Sequence, residues 1–238
     1  MSLYAWLLFL SFIGPFALSF DRKVAYYKSW GRLFTGIALN AIIFILWDGW
    51  FARTKVWGFN PNYVWNIRWN DLPIEEWLFF IVIPYCSVFI YACLKVYIQT
   101  EPFAKNKHHI TLFFLIATFF LALFNSTQAY TFYNCLIAAI LLSIHYLFLR
   151  KDWMGYFWLA YFVHLIPFLI INGVLTGIAT DKPVVWYNDN ENIGVRIFTI
   201  PVEDTIYALT CLLLPITVME MLVVKKIKRK GTLAVKHK

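Results

Sequence analysis

Long apolar segments alternate with short polar segments along the whole chain. Seven apolar blocks are present: Leu3 to Phe20, Leu33 to Trp47, Trp77 to Tyr97, Ile110 to Phe124, Tyr130 to Leu149, Tyr156 to Ile178 and Ile200 to Val224. Helices of about 17 to 25 residues cross the roughly 30 Å of bilayer hydrocarbon, because a helix rises about 1.5 Å per residue. Backbone groups in lipid have no water to bond, so such blocks must be helical. The pattern therefore predicts an all-α, polytopic membrane protein with about seven transmembrane helices.

The composition supports a membrane setting for most of the chain. Hydrophobic residues make up 61% of the 238 residues and charged residues 14%, and the mean hydropathy is +0.64. These values leave too little polar surface for a soluble globule. No Lys or Arg precedes the first block and no small-x-small cleavage site follows it, so we expect a membrane helix there rather than a signal peptide.

The basic residues predict the orientation of the helices. Most of the 21 Lys and Arg residues lie near the loops after the first, third and fifth blocks or in the tail after Val224, and short loops rich in these residues stay cytoplasmic. We therefore expect an integral protein of the bacterial inner (plasma) membrane, with the N-terminus outside and the C-terminus in the cytoplasm. The net charge of +8 is explained by contact of the basic tail with anionic lipids, so no nucleic-acid partner is expected.

The sequence contains no motif for a metal or a nucleotide cofactor. The four cysteines fall inside predicted helices without paired spacing, which predicts neither a disulfide framework nor a zinc site. A dinucleotide fingerprint and a Walker loop are both absent, so we expect no cofactor. His145 and His164 are isolated within predicted helices, where an inter-helix hydrogen bond is favoured over a ligand role.

An internal repeat of polar residues lies in the two long segments expected outside the membrane and continues into the helices that follow them. These segments lie between the second and third apolar blocks and between the sixth and seventh. In both copies an asparagine lies thirteen residues, and an arginine five residues, before a proline that opens an acidic run. The matched positions of the first and second copies are Asn60 and Asn188, Arg68 and Arg196, Pro73 and Pro201, Glu75 and Glu203, Glu76 and Asp204, and Phe79 and Tyr207.

The repeat predicts how the chain is divided. Residues 1–98 would form a first three-helix repeat, 99–128 a connector with one helix, 129–224 a second three-helix repeat, and 225–238 a basic cytoplasmic tail. The connector helix would restore the orientation of the second repeat, giving parallel repeats about an axis along the membrane normal. Both acidic motifs would then reach the same leaflet.

Either acidic motif alone has a structural explanation. Proline suits the first turn of a helix, and acids there complement the positive end of the helix dipole. The same residue types at the same spacing in both copies, at the edge of hydrocarbon where charge is costly, favour a functional site instead.

The two motifs resemble those of a known enzyme family. PIEEWLFF, from Pro73 to Phe80, and IPVEDTIY, from Ile200 to Tyr207, are similar to the paired motifs of the non-flavin membrane lycopene cyclases. The chain resembles the fused form of these two-subunit carotenoid cyclases from Leu3 to Val224.

The resemblance implies an acid-catalysed reaction without redox change. Protonation of a lycopene end would give a cation, ring closure would follow, and proton loss would leave a β-ionone ring, converting lycopene through γ-carotene to β-carotene. The enzyme would be an isomerase of the intramolecular lyase type in carotenoid biosynthesis, taking its substrate from the lipid phase. Association with other carotenoid enzymes is a further expectation.

Such chemistry needs an acid, a base and a dry site that stabilises a carbocation. Glu75 or Glu76 and Glu203 or Asp204 are the candidate acid and base. The remaining candidates are Trp77, Phe79, Phe80 and Tyr207, which would offer π faces to the cation, Arg68 and Arg196, which would orient or ionise a carboxylate, and Asn60 and Asn188, which would position other carboxylates by hydrogen bonds.

Other functions remain open at this stage. A membrane transporter or a binding protein for an apolar or small substrate is the main alternative, because repeated helix bundles with intramembrane acids also form carriers. A retinal receptor is disfavoured, because the last apolar block contains no Lys before Lys225. The sequence leaves open β against ε rings, one ring against two, C40 against C50 substrates, and one shared site against two.

Overall fold

The described part of the chain is a helical bundle. The computed structural model describes residues 2–149 and 151–236, with side chains described as far as Val223. This part contains seven α-helices: α1 Leu3–Leu18, α2 Trp30–Arg53, α3 Ile74–Tyr97, α4 Lys107–Phe124, α5 Ala129–Ser143, α6 Met154–Leu175 and α7 Glu203–Lys236. Six are long and apolar enough to cross a membrane, and α1 is a shorter apolar helix of 16 residues. The predicted all-α membrane architecture is confirmed.

Two helices differ from their apolar blocks in an informative way. Helix α2 continues beyond Trp47 to Arg53. Asp48, the first residue after the apolar block, is only 2% exposed, so the helix stays packed in the bundle there. Helix α5 ends at Ser143 and passes into a π-helical turn, Ile144–Leu149. The predicted lipid contact of the basic tail falls on side chains outside the described residues.

Each acidic motif is preceded by a short hairpin. Strand β2 (Arg68–Trp69) pairs with β3 (Leu72–Pro73), and β5 (Arg196–Ile197) pairs with β6 (Ile200–Pro201). In both hairpins the arginine faces the proline across the ladder. The repeated Arg and Pro positions are therefore the register positions of two matching hairpins.

A third two-stranded sheet joins the two halves. Strand β1 (Trp57–Phe59) pairs antiparallel with β4 (Val185–Tyr187), and Gly58 lies opposite Trp186. A Cβ on Gly58 would lie 2.3 Å from the Trp186 ring, so this crossing requires glycine.

The repeated asparagines continue this sheet by reciprocal hydrogen bonds. The Asn60 amide donates to the Val184 carbonyl, and the Asn188 amide donates to the Val56 carbonyl, both at 2.9 Å. Each asparagine therefore bonds to a residue beside the strand of the other repeat. The two bonds are related as the two halves of an isologous contact are.

The helices pack so that the two acidic motifs come together. Helix α3 packs against α1, α2 and α6, and α7 packs against α2 and α5. At Gly36 the backbones of α2 and α7 approach closely, since a Cβ there would lie 2.8 Å from the Pro215 carbonyl oxygen. With α2 packed against both α3 and α7, the first turns of α3 and α7 lie at the same end of the bundle.

The isolated histidines make the predicted inter-helix hydrogen bonds. His164 of α6 lies 3.1 Å from the Ser87 hydroxyl of α3. His145 of the π-helical turn lies 2.9 Å from the Thr217 hydroxyl of α7. Both side chains thereby link elements within the bundle.

Candidate active site

All four motif acids are buried, but the two acids of each pair have different surroundings. Glu75 and Glu203 are 0% exposed, Glu76 is 7% exposed and Asp204 is 4% exposed. Successive residues of a helix point about 100° apart, because a turn contains about 3.6 residues. Only one member of each pair therefore faces the space between the halves.

The first acid of each pair binds loop backbone. Glu75 Oε1 accepts hydrogen bonds from the Trp65 amide, at 2.7 Å, and from the Ser2 hydroxyl. Glu203 Oε1 accepts from the Ile193 amide at 2.8 Å and from the Thr131 hydroxyl at 2.7 Å. In both halves this acid ties the preceding loop and a neighbouring helix to the start of α3 or α7.

The second acid of each pair faces a shared cavity of about 50 Å³. Asp48, from α2, is the third acid in its wall. The complete lining, which we call the acid chamber, is Tyr4, Asp48, Trp57, Phe59, Glu76, Phe79, Tyr130, Phe168, Asn172, Leu175, Val185, Tyr187, Asp204 and Tyr207. These described lining residues include three carboxyl groups and no Lys or Arg.

Two of the chamber acids form a hydrogen-bonded pair. The carboxyl groups of Asp48 and Glu76 lie within hydrogen-bonding reach of each other. Glu76 Oε2 also accepts from the Tyr4 hydroxyl at 2.7 Å, and Asp48 Oδ1 accepts from the Tyr207 hydroxyl at 2.8 Å. Ionised carboxylates only accept hydrogen bonds, so contact between two carboxyls requires a proton on one of them.

The third chamber acid, Asp204, is held by three donors. Its Oδ1 accepts from the Tyr130 hydroxyl, and its Oδ2 accepts from the Asn172 amide at 2.6 Å and the Tyr187 hydroxyl at 2.9 Å. Burial raises the pKa of Tyr187 well above its usual value, and the charge of Asp204 raises it further. Tyr187 therefore keeps its proton and acts as a donor.

Two of the four predicted aromatic residues reach the chamber. Phe79 and Tyr207 line it. Trp77 stacks on Trp69, with ring centroids 4.5 Å apart, and its indole nitrogen donates to the Trp69 carbonyl. Phe80 is fully buried and stacks on Phe44. Neither Trp77 nor Phe80 belongs to the chamber lining.

The repeated arginines lie outside the chamber. The Arg196 guanidinium donates to the Asp189 carboxylate and, at 2.7 Å, to the Thr199 carbonyl, rather than to either motif acid. Arg68 is exposed. The expected orientation of motif acids by arginine is thus replaced by hydrogen bonds from tyrosines and backbone amides.

The repeated asparagines use their side chains within their own loops. Asn60 Oδ1 accepts from the Asn62 amide and Asn188 Oδ1 from the Asn190 amide, both at 3.1 Å. Such bonds to the amide two residues ahead stabilise turns. The asparagines therefore shape the loops that carry β1 and β4 and do not contact the acids.

Several chamber residues were not singled out from the sequence. The position that corresponds to Asp48 in the second half, 128 residues later, is Thr176. Asp48 is therefore not part of the repeated pattern of polar residues. Its signal is a carboxylate directly after an apolar block, where burial is costly without a partner. Tyr4, Tyr130 and Asn172 lie in apolar blocks like many other aromatic and amide residues, and no local pattern marks them.

The chain is similar to a known protein family over most of its length. The family model described as "Lycopene cyclase" matches residues 1–94 and 127–222. The "Bifunctional lycopene cyclase/phytoene synthase" of Aspergillus oryzae is 31% identical over 65 residues, which cover 27% of this chain and 11% of that protein. The chain thus matches only a small part of that relative's length. No solved structure gives a significant match.

Proposed function

Because the chain belongs to the lycopene cyclase family, we propose that it is a lycopene β-cyclase that converts lycopene through γ-carotene to β-carotene. The reaction is an isomerisation of the intramolecular lyase type, needs no redox cofactor and takes its carotenoid from the lipid phase. The observation that carries this proposal is the acid chamber, in which three buried carboxyl groups share one aromatic cavity within a bundle of apolar helices.

The hydrogen-bonded pair of Asp48 and Glu76 is the proposed proton donor. Its shared proton adds to the terminal double bond of lycopene and leaves a tertiary cation. The neighbouring alkene attacks this cation and closes the ring, and a proton then leaves the ring carbon. One proton is added and one is removed for each ring, so the product is an isomer of the substrate.

Asp204 is the proposed base. Its two oxygens accept three hydrogen bonds, which fix the carboxylate in the chamber wall. The rings of Trp57, Phe79 and Tyr207 offer π faces to the cation, and the chamber has no Lys or Arg among its described lining residues to oppose it. Glu75 and Glu203 hold the motif loops in place.

Two repeats that converge on a single site complete the proposal. The antiparallel pairing of β1 with β4 about Gly58 and Trp186 is the arrangement that a twofold axis between residues 1–98 and 129–224 would generate. Glu76 and Asp204, one from each repeat, face one cavity, which supports a single site used twice. The one-ring product should therefore be released and rebound.

The remaining expectations about the setting stay predictions. These are the bacterial inner membrane, an outside N-terminus, contact of the basic tail with anionic lipids, and association with other carotenoid enzymes. In this orientation the acid chamber lies toward the outer leaflet.

Expression in a lycopene-accumulating bacterium tests the activity. We expect conversion of red lycopene to orange cyclic products, with γ-carotene appearing before β-carotene in chromatographic analysis. For the purified chain in D₂O, we expect one deuterium per ring in the product, because the exchangeable carboxyl proton is delivered to carbon. Unchanged lycopene bound to the folded chain would instead favour a carrier or binding protein.

A further inference from the structure

A larger apolar groove adjoins the acid chamber. Its cavity volume is about 270 Å³, against about 50 Å³ for the chamber. Phe79, Phe168, Asn172 and Leu175 line both spaces, so the groove and the chamber share a wall. The exposed side chain of Leu10 lies at the groove's edge, which places its opening on the lipid side of the bundle.

The groove runs along the helix axes, away from the acids. Its floor on α3 extends from Phe79 to Ile90, and its wall on α6 extends from Leu175 back to His164. The eleven steps between the first and last of these twelve residues correspond to about 16 Å of helix, which is roughly half the thickness of bilayer hydrocarbon. The groove can therefore hold about half of a molecule that is as long as the bilayer is thick.

Most polar groups of the groove are already bonded within the protein. The Ser87 hydroxyl donates to the Ile83 carbonyl at 2.7 Å and contacts His164. The Cys86 thiol donates to the Ser11 carbonyl at 3.3 Å, and the Asn172 amide donates to Asp204. A ligand that needs hydrogen bonds gains little here, whereas an apolar chain loses nothing.

We propose that this groove binds the unreacted part of a linear polyene while one end lies in the acid chamber. The inference rests on the proposed function for the identity of the polyene. The position of the groove beside the acids favours a polyene over a lipid acyl chain, because protonation of the terminal double bond of the polyene gives a tertiary cation, whereas an acyl chain has no such end group. A groove open to lipid also lets the one-ring product leave and return with its other end first.

The chamber is too small to receive a substrate end without movement of its walls. A cavity of about 150 Å³ holds one benzene molecule, so a chamber of about 50 Å³ does not hold a closing ring. Phe79 and Phe168 line the groove, the chamber and the small cavity of about 30 Å³ beside them. These two rings therefore lie where the groove and the chamber meet.

Two neighbouring isoleucines of α6 provide a matched test. Ile171 lines the groove, whereas Ile170 is 64% exposed on the outside of the bundle. We expect Ile171→Trp to lower both the lycopene retained by the purified chain and the cyclisation rate about ten-fold, because the added volume must be accommodated in the groove. Ile170→Trp should change neither. Equal retention and turnover in the two variants would overturn the proposal.

Native cysteines provide a second test in the unsubstituted chain, should Ile171→Trp fail to fold. Cys86 lines the groove, and Cys93 lies two helical turns further along α3, outside the lining. We expect lycopene to slow N-ethylmaleimide modification of Cys86 about five-fold, because thiol reactivity follows access, and to leave Cys93 unaffected. Modification of Cys86 at the same rate with and without lycopene, or protection by phospholipid and not by lycopene, would contradict a polyene groove.

The outcomes separate the groove from the activity. If Ile171→Trp cyclises lycopene as well as the unsubstituted chain does, the groove proposal is wrong and the cyclase proposal stands. If the unsubstituted chain retains lycopene without cyclising it, and Ile171→Trp retains less, the cyclase proposal is wrong and the groove proposal stands. A chain that neither retains nor cyclises lycopene would overturn both proposals.

Discussion

The contrast between Glu75 and Glu76 is the sharpest test of the site. The same substitution, Glu→Gln, at two adjacent buried positions should have different consequences. Glu76 faces the acid chamber and contacts Asp48, whereas Glu75 binds the Trp65 amide and the Ser2 hydroxyl. We expect Glu76→Gln to abolish turnover and Glu75→Gln to lower stability.

The expected magnitudes follow from these contacts. Glutamine at 76 keeps the volume of the side chain but cannot deliver a carboxyl proton, and loss of a general acid costs about 100- to 10,000-fold in rate. Glutamine at 75 replaces one of the two carboxylate oxygens by a buried NH₂ group. If the NH₂ group replaces Oε1, it faces the donors of Trp65 and Ser2. If it replaces Oε2, it has no hydrogen-bond partner among the described atoms. Either choice costs about 1–3 kcal/mol. About 2 kcal/mol corresponds to a fall in Tm of about 4–8 °C for a chain of this size.

The assay separates activity from folding. Each variant is purified in lipid nanodiscs, its folded fraction is measured by size-exclusion chromatography, and lycopene conversion is divided by that fraction. The second half supplies an internal repeat of the test, with Asp204→Asn expected to resemble Glu76→Gln, and Glu203→Gln to resemble Glu75→Gln. We expect Glu76→Gln to keep about 1% of wild-type turnover or less. The reasoning is refuted if this variant keeps more than about a third of wild-type turnover. It is also refuted if Glu75→Gln has as little turnover per folded molecule as Glu76→Gln.

Three further predictions concern the chamber and its supports. Asp48→Asn should lower turnover about 100-fold or more, because it removes one carboxyl of the proton-sharing pair, as a conversion assay would measure. Tyr187→Phe should lower turnover about ten-fold with little loss of folded protein, because a hydrogen bond to a charged carboxylate contributes about 1.5–3 kcal/mol. Gly36→Ala should destabilise the chain by about 1–3 kcal/mol, because its methyl group would meet the backbone of α7; thermal unfolding in detergent measures the loss.

Each of these predictions has a control in the same chain. Asp189→Asn changes an exposed acid outside the chamber and should leave turnover unchanged. Gly31→Ala adds a methyl group to the same helix as Gly36 where no atom lies within 4 Å, and should not destabilise it. Equal turnover of Asp48→Asn and Asp189→Asn would remove Asp48 from the proton donor. Unchanged turnover in Tyr187→Phe would show that this hydroxyl does not position Asp204, and equal melting of Gly36→Ala and Gly31→Ala would contradict the close approach of α2 and α7.

The number and type of the helices could be derived from the sequence because each depends on local properties. A lipid solvent requires helix wherever about twenty apolar residues follow one another. The proline and acids at 73–76 and 201–204 likewise report a helix start through short-range chemistry. The matched spacing then marked both motifs as functional candidates before any contact was known.

Only the structure shows in which direction each candidate side chain points. Adjacent acids on a helix point about 100° apart, so one member of each pair had to turn away from the chamber, but their spacing does not show which one. Packing of α3 against α1 and α2 turns Glu75 toward loop amides and Glu76 toward Asp48. The arginines share the repeat but lie outside the chamber, because each belongs to a hairpin that contributes no residue to the chamber lining.

The sequence by itself determined a bundle of apolar helices, an internal repeat and two acidic helix starts, since periodicity, composition and spacing are properties of neighbouring residues. Only the tertiary structure decided that Asp48, from a different helix and without a counterpart in the repeat, completes the acid pair. It also placed tyrosines from α1, α5, β4 and α7 on the chamber acids, and an apolar groove beside them. These features depend on which faces of the helices and strands meet, and contacts between residues 17 to 159 positions apart leave no local pattern in the chain.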